Sequence, residues 1–191
     1  MNPIFIAEIK TQSPFGFKSP HSFMSLMQYA ITYGDWISVH TNALWGGDIE
    51  TLSFVRRNTN KPILAKGFHF TDDDIKRSLD HGADYVLLVD RVANPAYVDW
   101  DKCLFEIHNH YLLEGNLSMY PEFKKQKFVF NSRDLGSGLP KKLWEMDMFT
   151  DRGLWTCQAS GIYSMGHIQP KANAFIVGEH LVEFCKQLPR D

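Results

Sequence analysis

With 191 residues, of which 44% are hydrophobic, the chain has the size of one compact domain and lacks the composition of a membrane protein. A formal charge of -2 offers no basic field for nucleic acid, and the longest basic cluster, residues 124–127, is interrupted by Gln126. The apolar run at the N-terminus is short and contains Glu8, so it predicts neither a signal peptide nor a membrane span. We therefore expect a single domain over residues 1–191 that binds neither nucleic acid nor a membrane.

The three cysteines point to a reducing compartment. Cys103, Cys157 and Cys185 are odd in number, widely spaced and set in apolar surroundings. This pattern favours reduced structural thiols over a disulfide framework or a zinc site. A cytoplasmic location is expected.

Eight short apolar runs recur along the chain, and segments with helical spacing lie between several of them. Most of the runs are continuous rather than alternating, which is typical of parallel strands covered on both faces. The alternation of strand and helix predicts the α/β class. The predicted strands are Ile4–Ile9, Trp36–His40, 62–65, Tyr85–Val89, 103–107, 128–130, 154–157 and Ala174–Val177, and the clearest predicted helices are 20–33, 48–58, 71–81 and 179–188.

The third unit has the clearest boundaries. Thr71 precedes three aspartates, 72–74, and is a suitable N-cap for a helix whose first turn carries acids that oppose the helix dipole. Gly82 is a suitable terminator.

A closed barrel is favoured over an open sheet because no G-x-G-x-x-G follows the first strand and no P-loop occurs. A (β/α)8 barrel usually takes about 250 residues, so this one is expected to be trimmed. The segment between Val89 and Cys103, with Asn94, Pro95 and Trp100, is too short and irregular for a normal fourth helix.

Polar and charged side chains stand at the ends of many predicted strands, where barrel enzymes place their active sites. A single charged strand end is usually a solvated one, but a charge directed into a barrel mouth must be solvated, paired or used. Several such ends in one chain predict a functional site. They are Glu8 and Lys10 after the first strand, Lys66 after the third, Glu106 after the fifth, and Asn131 with Arg133 after the sixth.

These strand ends belong to eight short motifs that, in colinear order, resemble the indole-3-glycerol phosphate synthase family. Each motif is weak alone, whereas eight in order with strand-like spacing are specific, and together they run from about Pro3 to Leu181. The motifs are AEIKxxSP from Ala7, ISVxT from Ile37, PILxKxF from Pro62, GADxVLL from Gly82, LFEIH from Leu104, NSRDL from Asn131, SGI from Ser160 and AFxVGExL from Ala174.

The resemblance implies a phosphate-binding (β/α)8 barrel that acts without a cofactor on 1-(2-carboxyphenylamino)-1-deoxyribulose 5-phosphate. Ring closure, decarboxylation and dehydration of this substrate give indole-3-glycerol phosphate. Lys66 stands where the family places the general acid, and Glu106 matches the general base of the dehydration. Lys10 matches a lysine that contacts substrate, while Glu8 and Asn131 match groups that orient the lysine and the substrate hydroxyls.

The resemblance also implies a phosphate subsite in the loops after the seventh and eighth strands. Backbone N–H groups of Ser160, Gly161, Gly178 and Glu179 are expected to bind the anion, with Arg133 as a nearby cation. Glu179 would offer its amide, and its carboxylate is expected to turn away because it would repel phosphate.

The remaining matches concern the rest of the substrate. Trp45, Phe68 and Leu135 match wall positions for the aromatic end, and Ser13 belongs to the first-strand motif. Residues of these types are also common in ordinary cores and turns.

Three departures from the family pattern stand out. The family normally begins with an extra helical segment over the barrel mouth, whereas here the first predicted strand starts almost at Met1, so weak substrate affinity is expected. Ala159 replaces a glutamate that usually precedes Ser-Gly. The reduced fourth helix should expose apolar barrel surface, which side chains such as Trp100 or a second copy in a homo-oligomer would cover.

Two other functions compete with the enzyme. A non-catalytic barrel that binds a phosphorylated ligand or a protein partner would retain the motifs as relics, and Ala159 favours this alternative. A phosphoribosyl isomerase would need a Cys/Asp or Asp/Asp pair, and Asp90 and Cys157 are available, although neither opens the first strand.

A metal site is not expected. His40, His69 and His108 each lie on a different unit, and no i, i+4 pair of histidines supports them.

Overall fold

The computed structural model describes residues 2–90, 99–108, 110–134 and 136–189, and its strands form one closed parallel barrel. Each strand pairs with the next along the chain, and the eighth closes on the first. The (β/α)8 barrel predicted from the sequence is confirmed. The strands are β1 Ile4–Ile9, β2 Trp36–His40, β3 Ile63–Lys66, β4 Tyr85–Val89, β5 Cys103–Glu106, β6 Lys127–Asn131, β7 Trp155–Ala159 and β8 Ala174–Val177.

The helices of the described residues surround this barrel unevenly. In this part of the chain they are α1 Phe23–Tyr33, α2 Ile49–Arg56, α3 Asp72–Asp80, α4 His110–Met119, α5 Asp147–Thr150 and α6 Leu181–Cys185, and several short 3₁₀ turns join them. The last helix is shorter than the predicted 179–188. None of the described helices has the length and apolar character to cross a bilayer.

Local side chains set the helix starts. The hydroxyl of Ser22 accepts a hydrogen bond from the backbone N–H of Ser25, so α1 begins at Phe23 rather than at the predicted Pro20. Thr71 caps α3, as the sequence predicted, and it also forms a reciprocal capping box with Asp74. Gly82, directly after the α3 cap residue, adopts φ 104°, a conformation that suits glycine.

Alternate residues of each strand face the inside of the barrel. In β1, Ile6 belongs to the inner apolar cluster, while Phe5 and Ala7 belong to the outer one that packs against the helices. The inner cluster consists of Ile6, Leu64, Leu87, Leu104, Val129, Cys157, Ala159, Ala174 and Ile176. Following the same parity, Glu8, Lys66, Glu106 and Asn131 come two residues after Ile6, Leu64, Leu104 and Val129. The polar groups thus form the next layer of the barrel interior.

The fourth connection is only partly described. The reduced helix predicted between Val89 and Cys103 falls largely on residues 91–98, which lie outside the described residues. Trp100 is 8% exposed and packs edge-on against Tyr120 and Phe123, with ring centroids 5.7 and 5.4 Å away. It therefore covers part of the outer barrel surface. Such a side chain was one of the two coverings expected there, and a second copy of the chain was the other.

Candidate active site

A cavity lined by described residues opens at the carboxyl ends of the strands. The amino end is closed by aromatic side chains, of which Trp36 and Tyr85 stack with centroids 4.5 Å apart. The cavity lining combines three glutamates, two lysines, one arginine, two histidines and several aromatic rings. Its members include Glu8, Lys10, Phe15, His40, Trp45, Lys66, Phe68, Glu106, Asn131, Arg133, Ala159, Ser160, Gly161, Tyr163, Gly178, Glu179 and His180.

Glu8 and Lys66 form a buried ion pair across the barrel. The Lys66 Nζ donates to Glu8 Oε1 at 2.6 Å, and the His40 Nε2 donates to the same oxygen at 3.0 Å. Burial alone would raise the pKa of the Glu8 carboxyl, but Lys66 and His40 hold it well below its ordinary value. Burial alone would lower the pKa of the Lys66 ammonium, but Glu8 and Glu106 raise it. Both groups are therefore charged at neutral pH.

Aromatic rings lie beside this pair. The rings of His40 and Trp45 stack, with their centroids 5.7 Å apart and an angle of 4° between their planes. Phe68 meets Trp45 edge-on at 5.6 Å and stacks on Phe70 at 5.5 Å. Phe68 is 48% exposed, so Trp45 and Phe68 form an accessible wall of the cavity.

Glu106 lies in a second hydrogen-bond network. Its Oε1 accepts from His108 Nε2 at 2.8 Å and from Asn131 Nδ2 at 2.9 Å. The ammonium of Lys141 has only hydrogens to donate, so its contact with His108 Nδ1 leaves the hydrogen of this imidazole on Nε2. Burial alone would raise the pKa of Glu106, but the His108 hydrogen bond and the Lys66 charge lower it below its ordinary value.

Glu179 joins the two remaining cations. Arg133 binds both of its oxygens, with Nη1 to Oε1 at 2.7 Å and Nη2 to Oε2 at 3.0 Å, and Lys10 Nζ donates to Oε1 at 2.9 Å. This carboxylate thus points toward the two cations, and its expected turning away from a bound phosphate stays a prediction. The two cations come from other strand ends, Lys10 from after β1 and Arg133 from after β6.

The glycines after β7 and β8 allow close approaches. Ser160 and Gly161 both adopt positive φ, 68° and 67°, and the hydroxyl of Ser132 donates to the Ser160 carbonyl at 2.8 Å. A Cβ on Gly178 would lie 1.9 Å from Oε2 of Glu8. The backbone directly after β8 thus passes close to the Glu8 carboxylate, which holds Lys66.

The structure brings together most residues that the motifs indicated. Ser13 is different: it is buried in a turn, where its N–H donates to the Phe17 carbonyl, and it does not line the cavity. Leu135 lies outside the described residues. Ala159 lines the cavity between Asn131 and Ile176, its register partners on β6 and β8.

Sequence reasoning missed the roles of two histidines. His40 and His108 drew attention only as metal ligands, whereas each donates to an acid of the cavity. Alternate residues of a strand face the barrel interior, and counting along β2 and past the end of β5 places both histidine side chains on that inner face. This spacing could have indicated their roles. Lys141, the partner of His108, lies in the long connection after β6, and no pattern in the sequence indicated it.

Metal and thiol chemistry find little support in the described part of the chain. No three His, Cys, Asp or Glu side chains come together there as a group that could hold a metal ion. All three cysteines are buried and free, and burial raises the pKa of the Cys157 thiol far above its ordinary value. A protonated thiol is a poor base, which argues against the isomerase alternative.

Comparison with known proteins agrees with this geometry. The model of the indole-3-glycerol phosphate synthase family matches residues 1–187. The chain is 28% identical over 195 residues to the indole-3-glycerol phosphate synthase of Campylobacter fetus subsp. fetus, which covers 93% of this chain and 74% of that protein. It is 27% identical over 195 residues to the one of Sulfurimonas denitrificans, covering 93% and 73%. The chain belongs to the indole-3-glycerol phosphate synthase family.

Proposed function

We propose that this protein closes the indole ring of 1-(2-carboxyphenylamino)-1-deoxyribulose 5-phosphate to give indole-3-glycerol phosphate, carbon dioxide and water. The observation that carries the proposal is that a protonated Lys66 and an ionised Glu106 line the same cavity. An acid and a base with opposite protonation states at neutral pH are what this reaction needs.

Lys66 supplies the first proton. As the ring carbon that bears the carboxylate attacks the ketone carbon, a carbon–carbon bond forms and negative charge grows on the ketone oxygen. The ammonium of Lys66 donates its proton to that oxygen, which becomes a hydroxyl. Glu8 holds the ammonium in place through the 2.6 Å bond.

Loss of carbon dioxide and of water completes the ring. Carbon dioxide leaves from the attacked ring carbon, and its bonding electrons restore the aromatic ring. Glu106 then takes a proton from the methylene carbon between the nitrogen and the hydroxyl-bearing carbon, a double bond forms there, and the hydroxyl leaves as water. Lys66, reprotonated from solvent after the first step, donates the second proton that this water needs, and Glu106 releases its proton to solvent. His108 and Asn131 both bind Oε1 of Glu106, which directs Oε2 to this task.

The ends of the substrate fit opposite walls. The aromatic ring packs against Trp45 and Phe68, and the phosphate binds the backbone of the loops at Gly161 and Gly178 with Lys10 and Arg133 as cations. In this assignment the cavity takes a small phosphorylated molecule and no cofactor.

A non-catalytic binding barrel is the second candidate. Ala159 favours it, because a supporting carboxylate is absent from a position that lines the cavity. The rest of the site speaks for the enzyme, since the acid, the base and their hydrogen-bond partners are all present.

The deciding measurement is product fluorescence during incubation with the anilino-deoxyribulose phosphate. We expect turnover by the wild type and a loss of about 100-fold or more in Lys66→Ala, since one general acid contributes about that much. The exposed Lys125 is the matched control, and Lys125→Ala should keep wild-type rates. No product from the wild type, or near-normal turnover by folded Lys66→Ala, would overturn the assignment.

A further inference from the structure

Both cations of the proposed phosphate subsite are paired with an acidic side chain of the same cavity. The Glu179 carboxylate lies within hydrogen-bond distance of both Lys10 and Arg133, and it uses both of its oxygens on the guanidinium. The Arg133 hydrogen bonds lower the pKa of Glu179 to about 2, against the partial effect of burial. An anion therefore sits at this point of the cavity at every physiological pH.

Other side chains also hold the two cations. The guanidinium of Arg133 lies 5.7 Å from the ring centre of Phe15, and the ammonium of Lys10 lies 5.7 Å from that of Phe17. Such cation–π contacts orient both groups without Glu179. The Glu179 carboxylate is thus one of several groups that hold the two cations in place.

We propose that Glu179 is an internal competitor for the phosphate subsite, whose carboxylate a phosphate group must displace from Lys10 and Arg133 in order to bind. The inference rests on the phosphate subsite of the proposed function. A carboxylate and a phosphate a few ångströms apart repel each other, so the two anions cannot share this pair of cations at full strength. The side chain of Glu179 is 19% exposed, which leaves it a path toward the open mouth.

Displacement imposes the same free-energy penalty on every anion that uses the subsite. A whole substrate offsets this penalty through its contacts at the aromatic wall and near Lys66. Free orthophosphate has no such contacts. Glu179 therefore weakens the binding of both ligands by the same factor, and free orthophosphate, which makes no other contacts, then occupies the subsite poorly.

Binding calorimetry at pH 8, where phosphate monoesters are dianions, tests the proposal directly. The probes are orthophosphate and glycerol 3-phosphate, and the proteins are the wild type, Glu179→Gln and Glu179→Ala. We expect both variants to bind both probes about fivefold to tenfold more tightly, because two partly exposed ion pairs no longer have to be broken. Glu183→Gln is the matched control, since it removes the same charge from an exposed side chain of α6 and should bind like the wild type.

Equal or weaker binding of the probes by the Glu179 variants would overturn the proposal and make Glu179 a support for the cations. An equal gain in Glu183→Gln would also overturn it, because net charge would then be the cause. No binding of either probe to any of the proteins would do the same. The assay needs no turnover: if the wild type made no indole product but the Glu179 variants bound phosphate more tightly, the proposed reaction would fail and the competitor would stand.

Discussion

Replacing Gly178 by alanine should displace Glu8, the partner of Lys66, which lies on the neighbouring strand β1. An added Cβ would lie 1.9 Å from Oε2 and 2.8 Å from Cδ of Glu8, whereas real Cβ atoms almost never come within 3.0 Å of a neighbour. Glu8 would have to retreat by about 1 Å, which is enough to break its bonds to Lys66 and His40. The substitution adds one methyl group and removes no hydrogen-bonding group.

The size of the effect follows from this displacement. Overpacking of a closed site costs about 1–3 kcal/mol of unfolding free energy. A misplacement of about 1 Å at reacting groups costs roughly 100-fold in rate. We therefore expect kcat/KM for the anilino-deoxyribulose phosphate to fall about 100-fold and the urea midpoint to drop.

Gly115→Ala is a control substitution that should raise stability instead of lowering it. Gly115 lies exposed within α4, a Cβ there meets nothing within 4 Å, and Gly115→Ala should gain about 0.5–1 kcal/mol of stability without a change in rate. Adding Glu8→Asp to Gly178→Ala shortens the displaced side chain and should restore part of the lost stability. Wild-type kcat/KM in Gly178→Ala, or strictly additive stability changes in the double variant, would refute the close contact of Gly178 and Glu8.

Three further outcomes can be checked. His108→Leu removes a donor from Glu106, so the pKa of Glu106 should rise and the acidic limb of the kcat/KM profile should move to higher pH, whereas His108→Gln, which keeps a donor, should move it less. Because the pKa of Glu179 falls from an ordinary 4.5 to about 2 on folding, urea titrations should show a constant stability advantage of wild type over Glu179→Gln above about pH 5, shrinking as the pH falls through 4.5 toward 2. Ala159→Glu restores the carboxylate that the family carries at this position and, assayed at matched folded fraction, should preserve or raise turnover if the site is catalytic; a loss of rate without a loss of stability would count against a catalytic site.

The barrel and most of the cavity residues could be predicted because both follow from local patterns. Ile6 of β1 faces the barrel interior, and Glu8, two residues later, faces it too. This two-residue spacing can be read directly from the sequence. Helix α4 was missed because Gly115 and Asn116 are poor helix formers, and packing against the barrel overrides that preference.

Side-chain partners were harder to predict than positions. The bond between His40 and Glu8 joins residues 32 positions apart and depends on the register of β1 against β2. The orientation of Glu179 depends on two cations that are 169 and 46 residues away. Repulsion from a hypothetical ligand could be argued from the sequence, but attraction by distant lysine and arginine side chains could not.

The charges that line the cavity also bear on how fast a ligand can arrive. Among the described lining residues, the positive charges of Lys10, Lys66 and Arg133 equal in number the negative charges of Glu8, Glu106 and Glu179, so these six side chains together carry no net charge. Each positive charge is already paired with an acid a few ångströms away, and little field extends beyond the mouth to draw an anion through solvent. Phosphorylated ligands should therefore associate without electrostatic steering, at rates that depend only weakly on ionic strength.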